Sequence, residues 1–425
     1  MPFNALVWNI EQLGTKFRQF ADPLAMEDLR CQLIASVVAS AQADVLVIQE
    51  LRQDGVPILK QLVTQLNALP GGRAWHYDWL PGSQTVAVNS PTLFSQLGFT
   101  QAGNKEGYAA VWRDGALAPY ANSTLSAGID TPDPTASSAK AARGRYLDMV
   151  FSGKPLLFRD QTVDITFDPN GSYAPLGFPQ PVCPERTIAT TPSQSAAAAN
   201  AVITQQLDVR RPCCVQLNVT SSRTVPLVVL HAPAGQSNSR SPTYATLIGF
   251  AAQQLQGTNG VSDTVYAGNF NVVGQLPQQT LKSYPAKLGY VANTYGKDVP
   301  APSVVGFLKS GGGFLTGDTV FGDAQDYAYA AAPQAAPTLS VRNVLDLDIS
   351  PMTGGIRGTL TDVGDTMNAT IMPGLIRVAG EDVADVFDDW INGQPLPSGA
   401  DERTAAAIIQ RIFISRHLPV AISYA

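Results

Sequence analysis

The chain has few of the residues that build disulfide frameworks, metal-binding knuckles or basic surfaces. Its 425 residues include three histidines and four cysteines. Cys213 and Cys214 are adjacent, and no cysteine pair has the spacing of a metal-ligand set, so free thiols are expected, with a disulfide as the lesser alternative. Charged residues make up 15% of the chain and the net charge is −6. This excludes a broad basic footprint for nucleic acid but leaves room for a local basic cleft.

Long apolar runs are absent as well. No stretch reaches the roughly 18 apolar residues that a membrane-spanning helix needs. The first residues enter a strand pattern by Phe3 and lack the basic and apolar regions of a signal peptide. A cytoplasmic location is therefore expected, with signal-independent export as the alternative.

Strand and helix patterns alternate in both halves of the chain. The first half predicts strands at 3–8 and 44–49 and helices at 24–41 and 56–69; the second predicts strands at 213–219, 225–230 and 264–267 and helices at 193–207 and 243–255. Shorter patterns predict strands at 74–78, 108–112, 147–158, 161–167, 344–349 and 411–415 and a helix near 401–411. Such alternation is typical of an α/β protein.

Three segments interrupt this alternation. Residues 119–143 are rich in Ala, Ser, Thr and Pro and predict a loop. Residues 291–340 are rich in Gly, Ala and Pro and predict a surface excursion, while residues 351–400 carry no assignment.

Polar residues recur where the predicted strands end. His231 directly follows an apolar strand, and His417 follows another apolar run. In chain order the set comprises Asn9, Glu50, His231, Asn269, Asn271 and His417. Because rigid strands position the groups at their ends, this pattern predicts a polar site at one edge of a sheet.

The residues around these positions resemble a known family. The motifs are Val7-Trp8-Asn9-Ile10, the strand from Asp44 to Gln49-Glu50, Val229-Leu230-His231, Gly268-Asn269-Phe270-Asn271 and Ser415-Arg416-His417-Leu418-Pro419. In this order they resemble the W-N, D-h-h-h-h-Q-E, strand-end His, G-D-F-N and S-D-H-x-P motifs of the endonuclease/exonuclease/phosphatase superfamily, the DNase I-like proteins. Asn343-Val344-Leu345-Asp346 is similar to the N-L-D-Y strand of that family.

The resemblance implies a fold and an activity. The fold is a four-layer α/β sandwich, in which two mixed β-sheets pack face to face and helices lie outside. Residues 1–425 would form one such domain, with insertions near 119–145, 291–340 and 351–400. The implied activity is metal-dependent hydrolysis of phosphodiesters or phosphomonoesters.

By motif position, the resemblance places a metal at Glu50. Asn9 would lie beside it, and Asp346 would belong to the same catalytic set. The implied cofactor is Mg²⁺ or Mn²⁺, which binds carboxylate oxygens and leaves positions open for water and phosphate.

The resemblance assigns other residues to the substrate. His231 and His417 would contact phosphate and stabilise the charge that grows on its oxygens. Asn271 would position water or phosphate. Tyr108 is similar to a family tyrosine that reaches phosphate, with core packing as the alternative.

Two residues depart from the family pattern. Asn269 stands where the family has its general-base aspartate, and an amide is not a useful base near pH 7, which would cost roughly 10²–10⁴-fold in rate. Arg416 stands where the family has the aspartate of S-D-H. Asn269 replaces a charge of −1 by 0, and Arg416 replaces a charge of −1 by +1. The pocket is therefore three charge units more positive than the family pattern.

The arginine leaves two interpretations open. In one, Arg416 pairs with Glu50, fills the space of the metal and leaves a degenerate pocket. In the other, its guanidinium binds phosphate in place of the metal, because its geometry matches two phosphate oxygens.

Two functions follow from these interpretations. The first is a catalytically weakened or inactive protein that acts as a binding or structural component, with a phosphate-containing ligand, a nucleic acid or a protein as its partner. The second is an active metal-dependent phosphodiesterase, nuclease or phosphatase. Whether the protein is an enzyme stays open at this point.

Overall fold

The protein is described by a computed structural model. It covers residues 2–14, 16–52, 55–69, 74–80, 107–118, 144–146, 157–159, 162–165, 186–189, 213–231, 264–269, 292–294, 302–331, 337–342 and 355–425. The predicted helices 193–207 and 243–255 and the predicted strand 344–349 lie outside these residues.

The first sheet has six strands in the order β15-β16-β1-β2-β4-β3. Their bounds are β1 Phe3–Leu13, β2 Val45–Leu51, β3 Trp75–Leu80, β4 Gly107–Arg113, β15 Thr338–Val341 and β16 Val420–Tyr424. The pair β1–β2 is parallel and the other pairs are antiparallel. The parallel pair brings the carboxyl ends of β1 and β2 to the same edge.

The second sheet follows the order β13-β14-β12-β11-β10-β5, with β6 also paired to β10. Its strands are β5 Leu117–Ala118, β6 Gly144–Tyr146, β10 Cys213–Thr220, β11 Arg223–His231, β12 Thr264–Asn269, β13 Ala292–Thr294 and β14 Asp326–Ala331. Here β11 and β12 are parallel. Three short strands, β7 Leu157–Arg159, β8 Thr162–Ile165 and β9 Arg186–Ala189, form a separate small sheet.

Five α-helices lie among the described residues: α1 Pro23–Ser40, α2 Val56–Ala68, α3 Gly355–Ala379, α4 Glu381–Ile391 and α5 Glu402–Ile409. α1 begins at Pro23, and its N-cap is Asp22, whose side chain accepts a hydrogen bond from the Ala25 N–H. α5 begins with a capping box between Asp401 and Thr404. None of the helices in the described ranges is long and apolar enough to cross a bilayer.

Strand alternation decides which residues face the helices and which face the other sheet. In β1, Leu6, Trp8 and Ile10 belong to the apolar cluster that the helices cover. Ala5 and Val7 are equally buried but lie outside that cluster, because successive side chains point to opposite faces. By this parity Asn9 lies between the two sheets. The α/β sandwich with two mixed, face-to-face sheets is thus confirmed.

The prediction for residues 291–340 was wrong in part. Asp326–Ala331 is not a surface excursion but strand β14, which pairs with β12 inside the second sheet. Its residues Ala328 and Ala330 are fully buried. The alanine-rich composition that suggested a loop instead supplies the small side chains that fit inside the sandwich.

Two other segments differ from their predictions. Residues 411–415 do not form a strand, because α5 continues into a single π-helical turn over Gln410–Ile414, and the last strand is β16. The buried Gln410 side chain holds this turn by donating to the Ser415 and His417 carbonyls. Within 351–400, α3 and α4 contribute buried core residues such as Leu375 and Phe387.

Candidate functional site

The strand register gathers the polar strand-end residues on facing edges of the two sheets. In the first sheet, Asn9 is in register with Gln49, and Gln49 with Tyr108. In the second sheet, His231 is in register with Asn269, and Asn269 with Asp326. Two hydrogen bonds join the two sheets here. The Asn269 N–H donates to Gln49 Oε1 at 3.2 Å, and the His231 N–H donates to the Tyr108 hydroxyl at 3.1 Å. The result is a polar pocket between the sheets.

The backbone is strained where this pocket meets the first sheet. Glu50 has a φ of 64°, and Glu11 and Gln12 have φ values of 46° and 55°. Left-handed backbone costs a non-glycine residue about 1–3 kcal/mol, and it persists when surrounding contacts impose it. In β1 the strain coincides with a break in the β1–β2 register between Asn9 and Leu13. At this bulge the Glu11 carboxylate lies against the C-terminal segment, where it contacts Arg416.

Glu50, Asn9 and His231 form one side of the pocket. Asn9 Nδ2 donates to Glu50 Oε1 at 2.9 Å and lies 3.5 Å from His231 Nε2. His231 Nε2 lies 3.4 Å from the same Glu50 oxygen. The structure therefore brings together three residues that were predicted from three separate motifs.

His417 forms the other side of the pocket together with Asp326, a carboxylate that the sequence motifs did not predict. His417 is fully buried, and its Nδ1 lies 2.8 Å from Asp326 Oδ2, which also accepts from the Ser303 hydroxyl. The Asp326-Tyr327 pair has the D-Y of the N-L-D-Y pattern, and that signal could have found it. Asp346, which was predicted as a member of the catalytic set, and Asn271 lie outside the described residues.

The hydrogen bonds of His417 define its tautomer. Arg416 Nε donates to His417 Nε2 at 3.1 Å. A guanidinium nitrogen can only donate, so Nε2 accepts, and the ring hydrogen is on Nδ1, facing Asp326. The ring nitrogen of His417 that is not bonded to Asp326 is thus covered by Arg416.

Arg416 pairs with Glu11 rather than with Glu50, which corrects the expected ion pair. Arg416 Nε lies 3.0 Å from Glu11 Oε1, and the Arg416 backbone N–H donates to Glu11 Oε2 at 3.0 Å. Lys16 Nζ also donates to Glu11 Oε2 at 2.9 Å and to the carbonyls of Arg411 and Ile414. Two cations therefore meet one carboxylate beside the pocket.

The pKa values of this pair reflect opposing effects. Burial raises the pKa of Glu11, but the charge and hydrogen bond of Lys16 and the Arg416 N–H outweigh it and lower the pKa to about 2. Burial lowers the pKa of Lys16 to about 8, against the attraction of Glu11. Both side chains are therefore charged at neutral pH.

Acid is expected to remove a stabilising contribution of Glu11. Because its folded-state pKa of about 2 lies below the ordinary value of 4.5, this contribution is present above pH 4.5 and is lost as the pH falls toward 2. It is on the order of 3 kcal/mol. Urea unfolding of wild type and Glu11→Gln at pH 6 and pH 3 measures it. The stability gap between the two proteins should narrow at pH 3, and a constant gap would contradict this assignment.

The described side chains do not fit a hard divalent cation. Mg²⁺ requires several oxygen ligands. Asn9 directs its Nδ2 toward Glu50, while its Oδ1 accepts from the Glu11 N–H. The Glu11 carboxylate is occupied by Lys16 and Arg416. Among the described residues no group of three or more His, Cys, Asp or Glu side chains is placed to hold a metal.

Fold and pocket together define an α/β sandwich of two mixed sheets with a polar site between them. The residues singled out by the sequence motifs converge on this site, and Asn269 and Arg416 are among them.

Comparisons with known proteins return structures but no sequence relatives. The solved structures include an endonuclease/exonuclease/phosphatase family protein from Leptotrichia buccalis (TM-score 0.43, 10% identity, covering 100% of this chain and 99% of that chain). D. rerio TDP2 complexed with single-strand DNA product is another (0.40, 10%, 100% and 99%). The human nocturnin catalytic domain with bound sulfate is a third (0.39, 12%, 80% and 85%). No protein-family model and no curated protein matches the chain.

Proposed function

We propose that the chain is a divergent member of the endonuclease/exonuclease/phosphatase superfamily whose pocket binds a phosphate-bearing ligand and has lost most of the hydrolytic activity. The observation that carries this proposal is Arg416, whose guanidinium contacts Glu11 and covers His417 Nε2. A cation at this place repels a divalent metal and occupies the nitrogen that would contact substrate.

Asn269 supports the loss of hydrolysis independently. It lies at the end of β12, is 1% exposed and is in register with both His231 and Asp326. An aspartate there could take a proton from water, whereas an amide cannot do so at neutral pH. The missing base and the displaced metal would each slow the same reaction.

The strained backbone supports a pocket that is still used for binding. Glu11, Gln12 and Glu50 keep left-handed conformations, which cost stability, although a pocket without a role would gain from relaxing them. The pocket is therefore proposed to persist as a binding site. A phosphate ester, a nucleic acid or a protein that presents a phosphate group fits this description.

One observation favours the alternative of an active hydrolase. His417 keeps a carboxylate partner in Asp326, and Glu50, His231 and Asn9 remain within hydrogen-bonding reach of one another. An acid-oriented histidine can stabilise charge on phosphate oxygens. Under this alternative, Asp346 and Asn271 would complete the site.

Hydrolysis assays separate the two functions. We expect wild type to cleave neither bis-p-nitrophenyl phosphate nor plasmid DNA above background in the presence of Mg²⁺ or Mn²⁺. The matched variants are Glu50→Ala and His231→Ala, with Arg357→Ala on α3 as the control. Turnover that disappears in both pocket variants and in EDTA, but survives in Arg357→Ala, would establish the hydrolase and overturn the proposal.

A further inference from the structure

The guanidinium of Arg416 has partners at its Nε, whereas its two Nη nitrogens are available to a ligand. Its Nε contacts Glu11 and His417. Within the part of the chain that the structure describes, neither Nη nitrogen has a hydrogen-bond partner, and 40% of the side chain is exposed. A guanidinium in this state presents a fork of N–H donors to a ligand.

The charges around Glu11 leave this fork positively charged. Lys16 and Arg416 both contact the single Glu11 carboxylate, and the Lys16 side chain is 16% exposed. Lys16 Nζ also donates hydrogen bonds to the carbonyls of Arg411 and Ile414. One positive charge is therefore left over, and it is presented on the more exposed Arg416.

The backbone beneath Arg416 is firmly held. The Ser415 hydroxyl donates to the Asn9 carbonyl at 2.6 Å and accepts from the His417 N–H at 3.0 Å. On the opposite side, the Val305 N–H donates to the Arg416 carbonyl at 2.8 Å. The backbone that carries the guanidinium is therefore already ordered in the folded protein, and ligand binding need not order it.

We propose that Arg416 takes the electrostatic role of a divalent metal, so that the pocket binds a phosphate ester through the Nη nitrogens without any metal ion. This inference rests on the proposed function and specifies its ligand chemistry. Guanidinium and phosphate match in a bidentate geometry, and the charged hydrogen bonds are stronger than neutral ones. Glu11 is the positioning residue, because it aligns the guanidinium through Nε and leaves both Nη nitrogens free to donate.

Calorimetric titration in EDTA tests the proposal with three probes: inorganic phosphate, phenyl phosphate as a monoester and a thymidine dinucleotide as a diester. At least one probe should bind wild type in EDTA, and added Mg²⁺ should not tighten it. Arg416→Ala should weaken binding about tenfold to a hundredfold, the loss of charge-assisted hydrogen bonds. Arg416→Lys should recover only part, because an ammonium lacks the planar fork. The probe that binds best distinguishes a monoester from a diester ligand.

A matched control and a second variant keep the result interpretable. Arg357 is 41% exposed and pairs with Glu402, so Arg357→Ala changes the same charge away from the pocket and should bind like wild type. Glu11→Gln keeps Arg416 but weakens its alignment, and it should bind more weakly than wild type while unfolding cooperatively. Binding that requires Mg²⁺, or binding that is equal in wild type and Arg416→Ala, would overturn the inference. Turnover in the hydrolysis assay would instead overturn the proposed function, whatever the EDTA titration shows.

Discussion

Mg²⁺-dependent hydrolysis of bis-p-nitrophenyl phosphate is expected to rise about 10²–10⁴-fold over wild type when Asn269 and Arg416 are both replaced by aspartate. Asn269→Asp places a proton acceptor beside the register partners His231 and Asp326. Arg416→Asp removes the guanidinium from His417 Nε2 and adds a carboxylate next to Glu11. The first change supplies a base, and the second gives a divalent cation oxygen ligands in place of a positive charge.

The single variants provide the controls for this gain. Asn269→Asp alone should stay near the wild-type rate, because Arg416 still opposes the metal, and Arg416→Asp alone should gain metal binding with little turnover. Adding Glu50→Ala to the double variant should abolish the gained activity. A double variant that unfolds cooperatively, as circular dichroism can verify, but shows no gain would mean that the pocket lacks more than these two aspartates.

Arg30→Met is expected to destabilise the protein by about 3–5 kcal/mol, because it strands a buried charge. Arg30 is fully buried, and its Nη1 lies 3.4 Å from Glu27 Oε2. Its Nη2 donates to the carbonyls of Glu11 at 2.9 Å and Ile414 at 2.8 Å. It therefore joins the strained end of β1 to the turn that precedes Arg416. Urea unfolding monitored by tryptophan fluorescence measures the loss.

Two further variants separate the buried charge from other effects. Glu27→Gln combined with Arg30→Met removes the stranded carboxylate and should recover part of the stability. Arg403→Met breaks an exposed pair with Asp318 and should cost less than about 1 kcal/mol. If Arg30→Met cost no more than Arg403→Met, the buried network would not be holding the β1 end and the C-terminal turn together.

The local pattern predicted the fold well where a segment carries a continuous apolar run, as β2 does, or an apolar stripe, as α2 does. Helices α1 and α2 agree with their predicted ranges, and so do strands such as β2 and β11, because apolar spacing reports the period of each element directly. Strand β14 was missed, since alanines that fit between two sheets look like low-complexity loop in the sequence. The turn at Gln410–Ile414 was missed because a short apolar run does not distinguish a strand from the end of a helix.

The candidate site was predictable through its motifs but not through its pairings. Asn9, Glu50, His231, Asn269 and His417 stand at strand ends or beside a strand, and the structure gathers them around one pocket. Their roles remain proposals. Asp326 was not predicted, because its short motif stands in a segment whose composition indicated a loop.

The sequence by itself predicted an α/β sandwich with a scarce set of histidines at strand ends, and it placed Asn269 and Arg416 where the motifs that it resembles have aspartates. Only the tertiary structure decided the partners of those residues. His417 bonds to Asp326, 91 positions away, and Arg416 bonds to Glu11, 405 positions away. Such partners depend on which strands pair, in which register and with what bulge. A charge interacts with whatever the fold brings within a few ångströms, and sequence order does not specify that distance.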